Sequence, residues 1–475
     1  MSVINTPRQD GVDLHAAHAA AADNVEDDRA DRGAGGTAAV TGANSADISA
    51  ANTTASATAS AAASTAANVA ANATATTRTD ATANTTANGA ANTTANTTAH
   101  AATLTSATAD TAPHTPSWAI APANDLVSVM KLHVGQRPDQ LAVRFLADGD
   151  ADARELTYAA LDERARRLAA VLCRHGAPND RVLLMLQTGL DYVVSFFACQ
   201  YAGMIAVPAY PPEALQSGHL ERLRRIAGDC TARIAVLDQA SHASFASTNT
   251  SAELALHGVT LLSPDAANTD VGGSDDGFCI DSAAPDAISF LQYTSGSTSS
   301  PKGVMVSHAN ICANVSAMSR GMGCRAGDRM FSWLPLYHDM GLIGSVLMPV
   351  LCGFQVTLIS PSHFLERPAR WLAGIARERA TVTGGPDFAY RLCTDRVRDA
   401  QLAGLDLSSL RVAFCGSEPI RQTTLDGFAA LFSTHGLNPR AMYACYGLAE
   451  ATLFFTGVEV GTGAPETRFC ASALA

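Results

Sequence analysis

The sequence has little basic charge, few aromatic residues and no long apolar run, and each shortage excludes a class of function. Only 16% of residues are charged, and 44 Asp and Glu outnumber 32 Lys and Arg for a net charge of −12. Binding DNA or RNA needs a basic face, so nucleic acid is not an expected partner. The longest apolar stretch, residues 344–359, is interrupted by Pro349, Gly353 and Gln355 and is too short for a membrane span. The N-terminus is polar and lacks the apolar segment of a secretory signal. Eleven cysteines are scattered, with no C-x-x-C pair and no grouping with His at metal-ligand spacing. Cys199, Cys312, Cys352, Cys415 and Cys445 stand among apolar neighbours. They read as small core residues in a reducing compartment, which makes the cytoplasm the expected location.

The scarcity of large apolar side chains is extreme in residues 1–113, where Ala, Thr, Asn, Ser, Asp and Gly dominate and Ala-Asn-Thr-Thr-Ala recurs from positions 51, 83, 91 and 95. Such a segment cannot bury enough surface to offset its ordering entropy, so residues 1–115 are expected to be a disordered low-complexity tail. With ten acidic residues against four Arg, the tail carries about half of the net charge. The expected folded region, 116–475, is then only mildly acidic.

What is present is concentrated in one stretch. Thr294 to Pro301 holds six hydroxyl side chains, one Gly and one Pro, between apolar 288–291 and apolar 304–306. The pattern predicts strand, small-residue loop, strand. Small residues let backbone N–H groups approach a polyphosphate, hydroxyls add donors and Lys302 adds a point charge. A solvated Ser-rich surface hairpin is the alternative. A Walker loop is disfavoured, because Pro301 precedes Lys302 and Gly303 follows, and Pro301 drives Ser300 out of the helical region.

Around this stretch, helical and strand patterns alternate. Helices are predicted at 126–134, 158–175 with Thr157 as cap, 192–201, 220–227 and 364–379. Strands are predicted at 141–146, 181–186, 204–207, 234–237, 330–333, 354–359, 411–415 and 441–445. Residues 268–286 read as a surface loop. The alternation indicates an α/β fold with largely parallel sheets.

The segment Y-T-S-G-S-T-x-x-P-K-G at 293–303 resembles the phosphate loop of the adenylate-forming enzymes, the superfamily of acyl-CoA synthetases, luciferases and nonribosomal adenylation domains. G-M-I-A-V-P-A-Y-P-P at 203–212, L-Q-Y-T-S-G-S-T from Leu291 and S-W-L-P-L-Y-H-D-M-G-L-I-G at 332–344 are similar to the fatty acyl-AMP ligase branch. The resemblance implies a large N-terminal domain of stacked, mostly parallel sheets flanked by helices. It also implies ATP-dependent activation of a fatty acid to an acyl-adenylate, for transfer to the thiol of an acyl carrier protein or a polyketide or peptide synthase, with Mg²⁺ as cofactor.

Residue by residue, the resemblance assigns Thr294, Ser295, Gly296, Ser297, Thr298 and Lys302 to the triphosphate, and Glu450 with Thr298 to Mg²⁺. Gly416, Ser417, Glu418 and Pro419 would border the adenine, with Tyr446 stacked on it and Gly447 adjacent. His338 would lie beside the acyl carboxylate and α-phosphate, making His338, Lys302 and Glu450 the candidate catalytic set. Gly341, Leu342, Ile343 and Gly344 would border an acyl tunnel. Ordinary structural roles compete: a capping His, core packing for residues 341–344, a core Tyr, and a helix-start carboxylate for Glu450 and for Asp387.

The chain departs from the family pattern after Glu450, where it runs only to Ala475. The ribose-binding acid, the hinge and the small mobile domain with its catalytic Lys are expected beyond that point. The expectation is therefore weak adenylation by this polypeptide alone. The alternatives are a fatty acyl-CoA ligase and a non-catalytic fragment that binds nucleotide or acyl chain.

Overall fold

The computed structural model describes residues 124–211, 217–239, 241–242, 258–266, 279–294 and 301–465. The expected tail lies outside these residues, as do Ser295, Gly296, Ser297 and Thr298 and most of the expected loop at 268–286. The described residues form an α/β fold built on two sheets flanked by helices.

Helix α1 (Leu126–Gln136) precedes the antiparallel pair β1 (Leu141–Leu146) and β2 (Ala153–Thr157). Next come α2 (Tyr158–His175), β3 (Arg181–Met185), α3 (Leu190–Tyr201), β4 (Ile205–Pro208), α4 (Ser217–Asp229), β5 (Ile234–Leu237) and β6 (Thr260–Leu262). The Thr157 hydroxyl accepts from the Ala160 N–H and starts α2, as its position before the apolar stripe predicts. The candidate phosphate hairpin is β7 (Ile288–Tyr293) paired antiparallel with β8 (Gly303–Ser307), so the chain leaves the loop extended. Ser307 then opens α5 (His308–Gly321) with a reciprocal cap to Asn310.

The remaining elements are β9 (Arg329–Ser332), a π-helix Met340–Leu347 running into α6 (Met348–Cys352), β10 (Gln355–Leu358), α7 (Pro361–Glu366), α8 (Ala369–Glu378) and β11 (Val382–Gly385). After them come α9 (Asp387–Arg396), β12 (Val412–Cys415), α10 (Gln422–Ser433), β13 (Met442–Gly447) and β14 (Phe454–Gly457).

Two predicted helices differ. The single helix expected at 364–379 is two, α7 and α8, because Pro368 excludes the helical region at Arg367, whose φ is −145° and ψ 89°. The apolar helix expected after His338 begins as a π-helix, where the Ser345 hydroxyl donates to the Met340 carbonyl five residues back. Its backbone passes so close to Pro335 that a Cβ on Gly341 would lie 2.0 Å from the Pro335 carbonyl oxygen.

One sheet has eight strands in the order β14-β13-β12-β11-β9-β10-β1-β2, the other six in the order β6-β5-β3-β4-β7-β8. Apart from β1–β2, β13–β14 and β7–β8, the pairs are parallel. Strand β3 is buried on both faces: Val182 and Leu184 enter the main core, while Leu183 and Met185 enter a second core against Leu223 and Ile226 of α4. The main core holds an aromatic cluster of Trp333, Phe364, Trp371, Tyr390 and Phe428, with Trp333 and Phe364 stacked at 4.0 Å.

Candidate active site

Strand ends from both sheets converge on one cavity of about 410 Å³. Its wall takes Pro208–Tyr210 from the end of β4, Gln292–Thr294 from the end of β7, Tyr337–Met340 after β9, Gly416 and Ser417 after β12, and residues 445–450 from β13 onward. These are carboxyl ends of parallel strands, where open α/β sheets present ligand sites. Met318 and Met322 of α5, Met340, Phe414, Leu453 and Phe454 add apolar surface.

The hairpin mouth is held from α4. The Tyr293 hydroxyl donates to Asp229 Oδ2 at 2.5 Å, and the Arg222 guanidinium donates to the Thr294 carbonyl at 2.9 Å. Burial and the hydrogen bond to Asp229 push the Tyr293 phenol well above its ordinary range. Across the hairpin, a Cβ on Gly303 would meet the Tyr293 ring at 2.9 Å, so only glycine lets the ring lie there. The Arg222 guanidinium also sits 5.6 Å from the Tyr210 ring, which packs 4.5 Å from Tyr337.

His338 also lines the cavity, with Nδ1 2.6 Å from Asp339 Oδ1. The His338 side chain is 48% exposed; the partial desolvation of the imidazole works against its charge, but the hydrogen bond and negative charge of Asp339 outweigh it and raise the pKa. Gln292 is buried, its amide donates to the Tyr337 carbonyl at 3.3 Å, and its own carbonyl oxygen has no partner among the described residues.

After β12 the chain turns sharply. Ser417 has φ 74°, a left-handed conformation uncommon for non-glycine residues. Beyond β13 the backbone folds back on itself, and a Cβ on Gly447 would sit 1.9 Å from the Leu453 carbonyl oxygen. The fold-back exposes the Tyr446 ring, 59% accessible, and the Glu450 carboxylate in the cavity wall. The wall also carries Cys445, whose thiol donates to the Cys415 carbonyl and is pushed up to about 12 by burial, so it is no thiolate nucleophile at neutral pH.

Of the residues singled out from sequence, Thr294, His338, Gly416, Ser417, Tyr446, Gly447 and Glu450 share this wall. Lys302 is exposed at the hairpin mouth, where its carbonyl accepts from the Thr294 N–H, and is not part of the wall. Neither are Glu418 and Pro419. The Glu418 carboxylate instead accepts from the Phe388 N–H at the start of α9. Asp387, the first residue of α9, accepts in turn from the Arg421 N–H and the Thr424 hydroxyl at the start of α10. Of 341–344 only Gly344 lines the cavity; Gly341, Leu342 and Ile343 are buried in packing. Sequence reasoning missed Arg222 and Asp229, which carry no motif of their own, and gave no role to Gln292, which stands inside the L-Q-Y-T-S-G-S-T string.

A family model described as "AMP-binding enzyme" matches residues 130–469. The chain belongs to the AMP-binding enzyme family. Among curated members of similar sequence is a medium-chain-fatty-acid–[acyl-carrier-protein] ligase, TtuA, of Teredinibacter turnerae, 37% identical over 368 residues, covering 70% of this chain and 56% of that protein. The long-chain-fatty-acid–AMP ligase FadD32 of Mycolicibacterium smegmatis is 37% identical over 328 residues, 67% of this chain and 51% of that one. A putative fatty-acid–CoA ligase of Mycobacterium tuberculosis is 34% identical, covering 71% and 59%. The solved fatty acyl-adenylate ligase of L. pneumophila, in complex with acyl adenylate and pyrophosphate, superposes with a TM-score of 0.66 at 37% identity, covering 72% of this chain and 58% of that one. The chain thus spans somewhat more than half the length of these AMP-binding relatives.

Among the described residues, no three His, Cys, Asp or Glu side chains group as a metal site. A single exposed carboxylate, Glu450, with no ion-pair partner among those residues, fits a cation held mainly by phosphate oxygens.

Proposed function

We propose that the cavity takes ATP and a fatty acid and joins them as an acyl-adenylate with release of pyrophosphate, the acyl group then passing to a carrier-protein thiol. The observation that carries this reading is the convergence of Thr294, His338, Gly416, Ser417, Tyr446, Gly447 and Glu450 on one wall. An exposed aromatic face suits a purine. The Thr294 hydroxyl at the β7–β8 mouth suits phosphates, and the sequence motif assigns Ser295, Gly296, Ser297, Thr298 and Lys302 to the same ligand. Three methionines and Phe414 supply an apolar surface for an alkyl chain.

The fatty carboxylate attacks the α-phosphorus, a P–O bond forms as the bond to pyrophosphate breaks, and no covalent enzyme intermediate is needed. His338, raised in pKa by Asp339, donates to the carboxylate or α-phosphate oxygen and holds the two together. Glu450 and, by the sequence motif, Thr298 would hold Mg²⁺, which would supply neutralisation of phosphate charge. Since every cysteine among the described residues is a free thiol and ATP is the substrate, the cytoplasm is the proposed location. No helix among the described residues is long and apolar enough to cross a membrane.

The test is calorimetry with a series of alkyl-sulfamoyl-adenosine analogues. Each added methylene should tighten binding about fourfold, from about 0.8 kcal/mol per buried CH₂, until the cavity is full. Binding that ignores chain length, or no binding, contradicts the reading. The CoA-ligase relative keeps CoA as the alternative acceptor, and product analysis with CoA and carrier protein both present distinguishes the two.

A further inference from the structure

The segment that carries Glu450 is a short turn with Ala449 and Thr452 buried and Glu450 exposed. Residues 449–451 form one 3-10 turn, and the loop closes through the Leu448 N–H to the Leu453 carbonyl at 2.9 Å. A second cavity of about 370 Å³ lies behind the loop and shares Ala449 and Glu450 with the first, so this segment is a thin partition with space on both sides. At its centre Thr452 has φ 73° and ψ −60°, the rare region of the γ-turn, which a β-branched residue enters only when its surroundings impose it.

What imposes it comes from α5. The Asn314 amide nitrogen donates to the Ala451 carbonyl at 3.1 Å and to the Phe454 carbonyl at 2.8 Å, and its oxygen accepts from the Phe454 N–H at 2.9 Å. These contacts straddle Thr452, one before it and two after. The donor and acceptor pattern also fixes which way the amide faces. Helix α5 starts directly after β8, so the side chain ties the return strand of the phosphate hairpin to the Glu450 turn by a rigid helix.

We infer that Asn314 is a positioning residue that holds Glu450 in register with the hairpin for a phosphate-bound divalent cation. The inference rests on the nucleotide reading above. Asn314 touches neither nucleotide nor cation in this account; it acts through the backbone of 451–454.

The experiment measures MgATP binding and, separately, AMP binding in EDTA by calorimetry for the intact chain, Asn314→Ala, Thr452→Gly and the double variant. Loss of an outer contact to a metal ligand typically costs about 10–100-fold in metal affinity. Asn314→Ala should therefore weaken MgATP at least about tenfold while changing metal-free AMP less than about twofold. Adding Thr452→Gly, which accepts a positive φ without strain, should recover part of the loss. Equal MgATP affinity in Asn314→Ala, or parallel loss of MgATP and AMP, overturns the inference. Native-state hydrogen exchange supplies a readout without nucleotide: the Phe454 amide should exchange about tenfold faster or more in Asn314→Ala, the lost bond being worth roughly that factor or above. Unchanged protection overturns the clamp. If the intact chain binds no MgATP, the nucleotide reading fails by itself, and the exchange result still decides whether Asn314 holds the turn.

Discussion

Two groups of aromatic rings among the described residues do opposite things. Trp333, Phe364, Trp371, Tyr390 and Phe428 fill the core beneath the eight-stranded sheet; Trp371 is fully buried, with its indole N–H donating to the Thr383 hydroxyl at 2.8 Å. Tyr210, Tyr337 and Tyr446 stand at the strand ends around the cavity, and Tyr446 leaves most of its surface exposed, with Phe455 its one ring neighbour among the described residues, at 6.3 Å. Buried rings contribute to stability through contact and area. An exposed ring at a cavity wall contributes little until something stacks on it, so the difference separates what holds the fold from what is left for a ligand.

The contrast breaks most visibly at the core ring. Trp371→Ala should cost about 3–5 kcal/mol of unfolding free energy, measured by denaturant titration. Tyr446→Ala should leave stability within about 0.5 kcal/mol. If the two substitutions destabilise equally, the division is wrong.

A second prediction concerns His308, buried at the start of α5, where its Nδ1 accepts from the Leu126 N–H. Burial lowers its pKa to about 4 from an ordinary 6.5. The folded state therefore holds it neutral, and its contribution is complete above pH 6.5 and is lost as the pH falls toward 4. The shift corresponds to about 3 kcal/mol. His133 is lowered in the same direction, also by burial. His308→Gln should flatten the stability profile between pH 7 and 4; an unchanged slope argues against the buried neutral ring.

On the cavity side, Tyr446→Ala should weaken AMP or acyl-adenylate analogue binding by about 1–3 kcal/mol, the value of aromatic stacking on a base, read by calorimetry. The smallest effect belongs to the hairpin anchor. Tyr293→Phe removes the hydrogen bond to Asp229 and should cost about 0.5–1.5 kcal/mol of stability.

Elements whose signal is local were legible in the sequence. Thr157 before an apolar stripe and Pro301 between two apolar runs each decide a backbone conformation by themselves, and the structure has the helix start and the hairpin there. The motif around Tyr446 and Glu450 and the one at His338 were legible as candidates, and the fold brings them to one cavity. What was not legible depends on tertiary approach. Arg222 on an amphipathic helix looks like any solvated charge until α4 is laid against the end of β7. The turn of Glu418 toward Phe388 is set by two neighbouring helix starts that exchange carboxylates. Gly447 is required by the Leu453 carbonyl six residues on, a contact that no window of hydrophobic periodicity reports. The break before α8 was readable, since Pro368 marks it, and the helical pattern on either side concealed it.

The central claim is that one cavity holds nucleotide and acyl group end to end. A crystal structure of the chain with an alkyl-sulfamoyl-adenosine tests it most directly. The account predicts the purine against Tyr446 and Gly416, the sulfamate between His338 and Thr294, and the alkyl chain among Met318, Met322 and Met340. A ligand seated elsewhere, or a purine away from Tyr446, would contradict it.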